Sequence, residues 1–145
     1  VTQVSRSLLL PYSAAEMFAL VNDVARYPDF LPFCIGAQVL EVRDDEMLAA
    51  LAFSRMGLEQ ALHTRNRRMP PERIDIEFVS GPFEFLRGQW LFQALGEDAC
   101  KTSFTVEFQL QARFLQFAAT TAVNQAVAQA VEAFQRRAVQ VYGKR

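Results

Sequence analysis

The sequence predicts one α+β domain in which a curved antiparallel sheet wraps around a long C-terminal helix, with two short helices after the first strand. Three observations predict it. From Gln38 to Gln111 the chain is a series of alternating segments separated by Gly, Pro and Asp, which makes an antiparallel meander. From about Leu115 to Tyr142 no Gly or Pro interrupts it, and Val123, Val127, Ala130, Phe134 and Ala138 recur at three- and four-residue spacing, the signature of one helical face. A single long amphipathic helix must bury that stripe on the sheet.

The elements follow in order. Thr2 to Leu10 alternates loosely and ends at Pro11, which reads as a strand. Ser13-Ala14-Ala15-Glu16 is a capping box, in which Ser takes a first-turn amide and Glu reaches back. The helix it starts runs through Met17, Phe18, Leu20 and Val21 and stops near Asn22-Asp23. Pro28 and Pro32 break Val24 to Phe33 into a short helix or turn. Four to six strands are then expected in series. Asp44-Asp45 turns a strand at Gln38–Arg43 into one at Met47–Arg55, and Gly57 marks the next turn. Leu58–Arg68 runs to the Pro70-Pro71 loop, Arg73–Phe78 puts Ile74, Ile76 and Phe78 on one face, and Ser80-Gly81-Pro82 ends it. Leu86–Phe92 carries Trp90 and Phe92 on one side. Ser103–Gln111 sends Phe104, Val106, Phe108 and Leu110 one way and Thr105, Glu107 and Gln109 the other. The last helix spans roughly 42 Å. Gly143 stops it, and Arg136, Arg137, Lys144 and Arg145 suit the negative end of its dipole.

The 145 residues are 51% hydrophobic, including 13 Phe, which excludes disorder and fits one domain over residues 1–145. A net charge of −1 gives no overall footprint for nucleic acid, and DNA is not expected as a partner. Cys34 and Cys100 sit in no metal-ligand spacing and read as a reduced pair. With no secretory signal and no apolar run near the ~20 residues of a membrane span, a cytoplasmic location is expected.

The helix face meant for the sheet is rich in Ala (Ala119, Ala122, Ala126, Ala130). Small side chains opposite a curved sheet leave space, so a cavity is expected there, unless the strand phenylalanines fill it. Trp90, Phe78, Phe92 and Phe108 are assigned inward, to line the cavity or to fill the core. Catalytic chemistry finds little support. His63 is the single histidine and has no placed nucleophile; Asp75 and Glu77 alternate against Ile74 and Ile76 as a solvated strand face. No phosphate loop or metal-ligand cluster occurs. The chain is therefore expected not to be an enzyme, with no catalytic residue, no metal and no required cofactor.

The architecture fits the helix-grip fold, and local motifs sharpen the match. Tyr27-Pro28-Asp29-Phe30-Leu31-Pro32-Phe33-Cys34, Thr64-Arg65-Asn66-Arg67, and Gly81-Pro82-Phe83 followed by Leu86-Arg87-Gly88-Gln89-Trp90-Leu91-Phe92 resemble the coenzyme Q-binding START-like family. That family includes bacterial ribosome-association toxins and mitochondrial coenzyme Q-binding proteins, within the wider polyketide cyclase/dehydrase and lipid-transport group. The resemblance covers essentially the whole chain. Phe33 stands where the family often has Trp, and His63 where a small hydroxyl residue is common.

The resemblance implies a START-like fold and binding of ubiquinone or a related isoprenoid lipid in support of respiratory electron transport. It equally implies, for the bacterial branch, binding the large ribosomal subunit and blocking subunit joining. A small-molecule cyclase/dehydrase is a third reading, by fold analogy alone. For the first, the expected cavity residues are Tyr27, Phe30, Leu31, Phe78, Trp90, Phe92, Phe108, Val123 and Val127. Quinone carbonyls only accept hydrogen bonds, so Tyr27, Arg65 and Asn66 are the candidate donors. Phe30, Leu31 and Phe33, next to Pro28 and Pro32, would be a lid, a transient membrane-surface contact peripheral at the inner membrane, or simple packing. Arg65, Arg67, Arg68, Arg73 and Arg87 would meet ribosomal RNA or an anionic surface, or be neutralised by Asp75 and Glu77.

Overall fold

The computed structural model describes residues 1–55 and 58–145. The turn expected at Gly57 lies outside the described residues. In chain order the elements are β1 (Thr2–Leu10), α1 (Ala14–Asn22), a 3-10 segment (Val24–Asp29), β2 (Cys34–Arg43), β3 (Glu46–Arg55), β4 (Leu58–Met69), β5 (Arg73–Ser80), β6 (Phe83–Ala94), β7 (Cys100–Leu110), a second 3-10 turn (Arg113–Leu115) and α2 (Gln116–Tyr142).

The strands form one antiparallel sheet in the order β1-β7-β6-β5-β4-β3-β2. Only β1 pairs out of sequence order, against the last strand. α1 and the first 3-10 segment therefore carry the chain from one sheet edge to the other. Register shifts fall in β2, between the middle of β4 and the end of β5, and near the start of β6. Such bulges bend strands, which curves the sheet around α2.

Local chemistry explains the ends. The capping box forms: Ser13 Oγ accepts from the Glu16 amide at 3.1 Å, and Glu16 Oε1 accepts from the Ser13 amide at 2.9 Å. Asp44, at φ 54°, makes the β2–β3 turn in the left-handed region that Asp tolerates. Val24 to Phe33 resolves into the 3-10 segment and a turn, with Pro28 inside it. α2 starts one residue later than expected and ends at Gly143 (φ 89°), whose amide donates to Val139 O at 2.9 Å.

One expectation at this end is corrected. The last turn of α2 carries no basic residue. Arg145 instead folds back to α1, donating to both Glu16 oxygens at 2.6 and 2.8 Å, with its guanidinium over the rings of Tyr12 and Tyr142. Tyr12 Oη donates to Gly143 O, and Tyr142 Oη to Glu16 O. A carboxylate and two rings offer more than a solvated helix end, so the cation goes there.

The main core gathers α1 (Met17, Phe18, Val21), the sheet (Ile74, Trp90, Phe92, Cys100) and the C-terminal half of α2 (Val131, Phe134, Ala138). Every buried residue of α2 lies at Val127 or beyond. The first turns of the helix are held to the sheet by Gln116 and by Ala119 and Val123, but none of their residues is fully buried.

Candidate ligand cavity

Between α2 and the concave face of the sheet lies an apolar cavity of about 200 Å³. Its deep end is closed by Val24, Leu31, Trp90, Ala130 and Phe134, all buried. Its lining towards the start of α2 (Leu62, Phe83, Leu86, Val123, Ala126) is only half-buried, which places an opening under the N-terminal half of α2. Ala126 and Ala130 face the space, and Gly88 adds no side chain on β6. Small residues facing a curved sheet thus leave room, and the phenylalanines do not fill it all.

The structure brings together Tyr27, Leu31, Trp90, Val123, Val127 and Asn66 of the expected residues. It does not bring in four others. Phe92 is on the expected face, but Phe18 of α1 covers it at 5.8 Å. Phe108 is fully buried with Val4, Val106 and Val127, nearer the β1 edge. Phe78 sits outside the lining, edge-on to Phe83 at 6.2 Å. Phe30 turns outward against Phe134 at 5.1 Å, with Arg137 over its ring. Leu31 and Phe33 line the cavity, so the Pro-bounded segment is a wall with one residue on its outer side.

Trp90 stacks in parallel on Phe104 at 4.1 Å, and Phe134 meets its edge at 5.2 Å. Phe92 also lies parallel to the indole at 6.2 Å, so three rings pack around Trp90 and only part of it lines the cavity.

The polar content is small and specific. Among the described residues only Thr64, Asn66 and Thr102 are buried polar side chains, and the first two line the cavity. Thr64 Oγ1 donates to Asn66 Oδ1 at 3.0 Å. With its oxygen occupied, Asn66 keeps its amide N–H groups for whatever enters. Thr64 shares the strand parity of Leu62 and Asn66, a signal the sequence held but which was not used. The other two donor candidates are placed elsewhere. The Tyr27 hydroxyl donates to Val21 O, and burial pushes the phenol well above its ordinary value, so it keeps its proton and spends it there. Arg65 alternates with Asn66 and so lies on the opposite, convex face.

On that convex face the arginines are matched by carboxylates. Cross-strand register sets Arg65, Glu77, Arg87 and Glu107 in one row and Glu46, Arg67, Asp75 and Gln89 in the next. Arg67 meets Glu46 at 3.2 Å, Arg87 meets Glu107 at 3.1 Å, Arg73 meets Asp75 at 3.4 Å and Arg65 meets Glu46 at 3.9 Å. Arg68, of the other parity, donates to the Asp44 and Asp45 carbonyls at the strand end. The basic stretch is a ladder of alternating sign. His63 is on the convex parity, away from the cavity. Both cysteines are buried free thiols, and burial pushes each up. Among the described residues there is no metal-ligand cluster, and no helix is long and apolar enough to cross a membrane.

Residues 10–135 match the family model described as polyketide cyclase / dehydrase and lipid transport. The chain belongs to that family. Within it, the chain is 44% identical to the ribosome association toxin RatA of Vibrio cholerae, over 98% of this chain and 99% of that one. It is 25% identical to the mitochondrial coenzyme Q-binding protein COQ10 homolog B of Xenopus laevis, over 98% of this chain and 60% of that one. Two solved structures carry the same fold. A START superfamily protein from Mycobacterium smegmatis has a TM-score of 0.85 at 18% identity, covering 96% of this chain and 98% of that one. The Zhui aromatase/cyclase from Streptomyces sp. R1128 has a TM-score of 0.88 at 16% identity, covering 99% of each chain. At those identities the likeness speaks for the START-like fold alone.

Proposed function

We propose that this chain binds a hydrophobic small molecule with a hydrogen-bond-accepting head, of the quinone class, and performs no chemistry on it. The observation that carries the reading is the apolar cavity with one buried donor, Asn66, set in its wall. A quinone carbonyl would accept from that amide while the ring lies against Phe104, Trp90 and Val123. The volume is below the ~300–1,000 Å³ of sites that enclose a drug-sized ligand. It suits a head group, with an isoprenoid tail leaving by the open end. The coenzyme Q-binding name of the Xenopus relative points the same way. The non-catalytic part is supported by the lining, in which Tyr27 alone titrates and holds its proton. Organic extraction and mass spectrometry of protein purified from its own host tests this. A quinone or other isoprenoid at one per chain is expected, and an empty or lipid-random extract would sink it.

A second reading is favoured by a different observation, the RatA name of relatives that match nearly end to end. By that reading the chain associates with the large ribosomal subunit and regulates subunit joining. Sedimentation with purified large subunits tests it directly. Comigration lost on reversing Arg65, Arg67 and Arg87 together would place the contact on the convex ladder; absence of comigration would remove the reading.

A further inference from the structure

We infer that Phe114 and Phe117, at the start of α2, seat the protein on an uncharged bilayer surface. The purpose of that contact, loading or emptying the cavity, rests on the ligand reading above; the surface itself does not. Phe114 is 86% exposed and Phe117 90%, with Leu115 beside them at 45%. Two water-facing phenyl rings three residues apart, with Leu115 between them in the chain, make an exposed apolar patch of the kind that marks an interaction site.

The neighbourhood says what. From Phe114 to Val131 the chain has no Asp, Glu, Lys or Arg, so the outer face of the first turns of α2 is uncharged throughout. The nearest charge, Arg113, is neutralised by Glu84 at 3.0 Å. Nothing here would attract nucleic acid or anionic lipid. A second protein copy fits poorly as well. Two phenyl side chains offer roughly 300–500 Å², against about 800 Å² per partner in a stable complex. A bilayer needs less, since aromatic side chains sink individually into the headgroup boundary.

Position adds a further argument. The Gln111 amide and side chain donate to Pro82 O and Phe83 O at 3.5 and 3.3 Å, tying this segment to the β5–β6 turn. Phe83 and Val123 line the open end of the cavity. The exposed rings thus flank the opening through which a tail would reach acyl chains.

The test is flotation with phosphatidylcholine vesicles, comparing the wild type with the Phe114→Ser/Phe117→Ser double variant. Thermal melting reports the fold, and Trp90 quenching by a short-chain quinone reports the cavity. The wild type is expected to float and the variant to partition about tenfold less or weaker, with melting and quenching unchanged. A wild type that stays in the aqueous fraction, or a variant that floats equally, would overturn the inference. So would a concentration-dependent dimer lost in the variant, which would make a second copy the occupant. Vesicle binding that depends on the two rings, with no quenching in either protein, would support the surface and sink the ligand reading.

Discussion

Asn66 sets the chemistry of the cavity. A ligand oxygen that accepts from the Asn66 amide adds a hydrogen bond worth about 0.5–1.5 kcal/mol. Asn66→Leu is expected to weaken short-chain quinone binding on the order of tenfold and to lower the melting temperature modestly, because the buried Thr64 hydroxyl loses its acceptor. Unchanged affinity in a folded variant would remove Asn66 from the site. Asn66 was legible in the sequence from its motif. The same motif suggests Arg65, but strand alternation puts it on the opposite face, and the parity of Asn66 points to Thr64 instead. Phe92 and Phe108 show a limit of another kind. Their inward parity was readable, but which inward side chains meet the void depends on where α1 and β1 pack, and periodicity carries no such information.

At the scale of elements, α2 is the determinant. Its Ala-rich face was visible as a stripe, and the cavity follows from it. Ala126→Leu is expected to fill part of the space and hold or raise the melting temperature, since added apolar contact replaces a void. A large loss of stability would mean the site is packed and not open. The clasp between α1 and the end of α2 has a pH signature. Hydrogen bonds from Arg145 and from the Ser13 amide hold the Glu16 carboxyl down to about 2. A carboxylate depressed in the fold stabilises fully above its ordinary value near 4.5, and that contribution fades as pH falls towards 2. Melting temperature is therefore expected to drop more between pH 4.5 and 2 in the wild type than in Glu16→Gln; parallel curves would contradict the clasp. The sequence held the capping box but not this clasp, because the pairing joins residues 129 apart. Strand and helix spans were readable because period and turn residues agree. The 3-10 segment at Val24–Asp29 was not readable in detail, since proline-broken turns have no period to extrapolate, and so the outward swing of Phe30 stayed hidden.

Across the whole molecule, the two faces of the sheet do different work. The concave face and α2 enclose the cavity; the convex face balances charge across strands. Neutralisation of the arginine cluster by Asp75 and Glu77 is one of the two sequence readings, and the structure favours it; Glu46 and Glu107 are added only by register, which brings them opposite from other strands. Exposed pairs of this kind contribute little to stability each, but together they offset much of the positive charge of Arg65, Arg67, Arg73 and Arg87. The central claim is that the space between α2 and the sheet receives a quinone-class head. Titration of the wild type and Ala126→Leu with a short-chain quinone, following Trp90 as the sole tryptophan, tests it most directly. Saturable quenching at one ligand per chain, lost in Ala126→Leu, is the predicted result. Linear, unsaturable quenching that is the same in both proteins would contradict it.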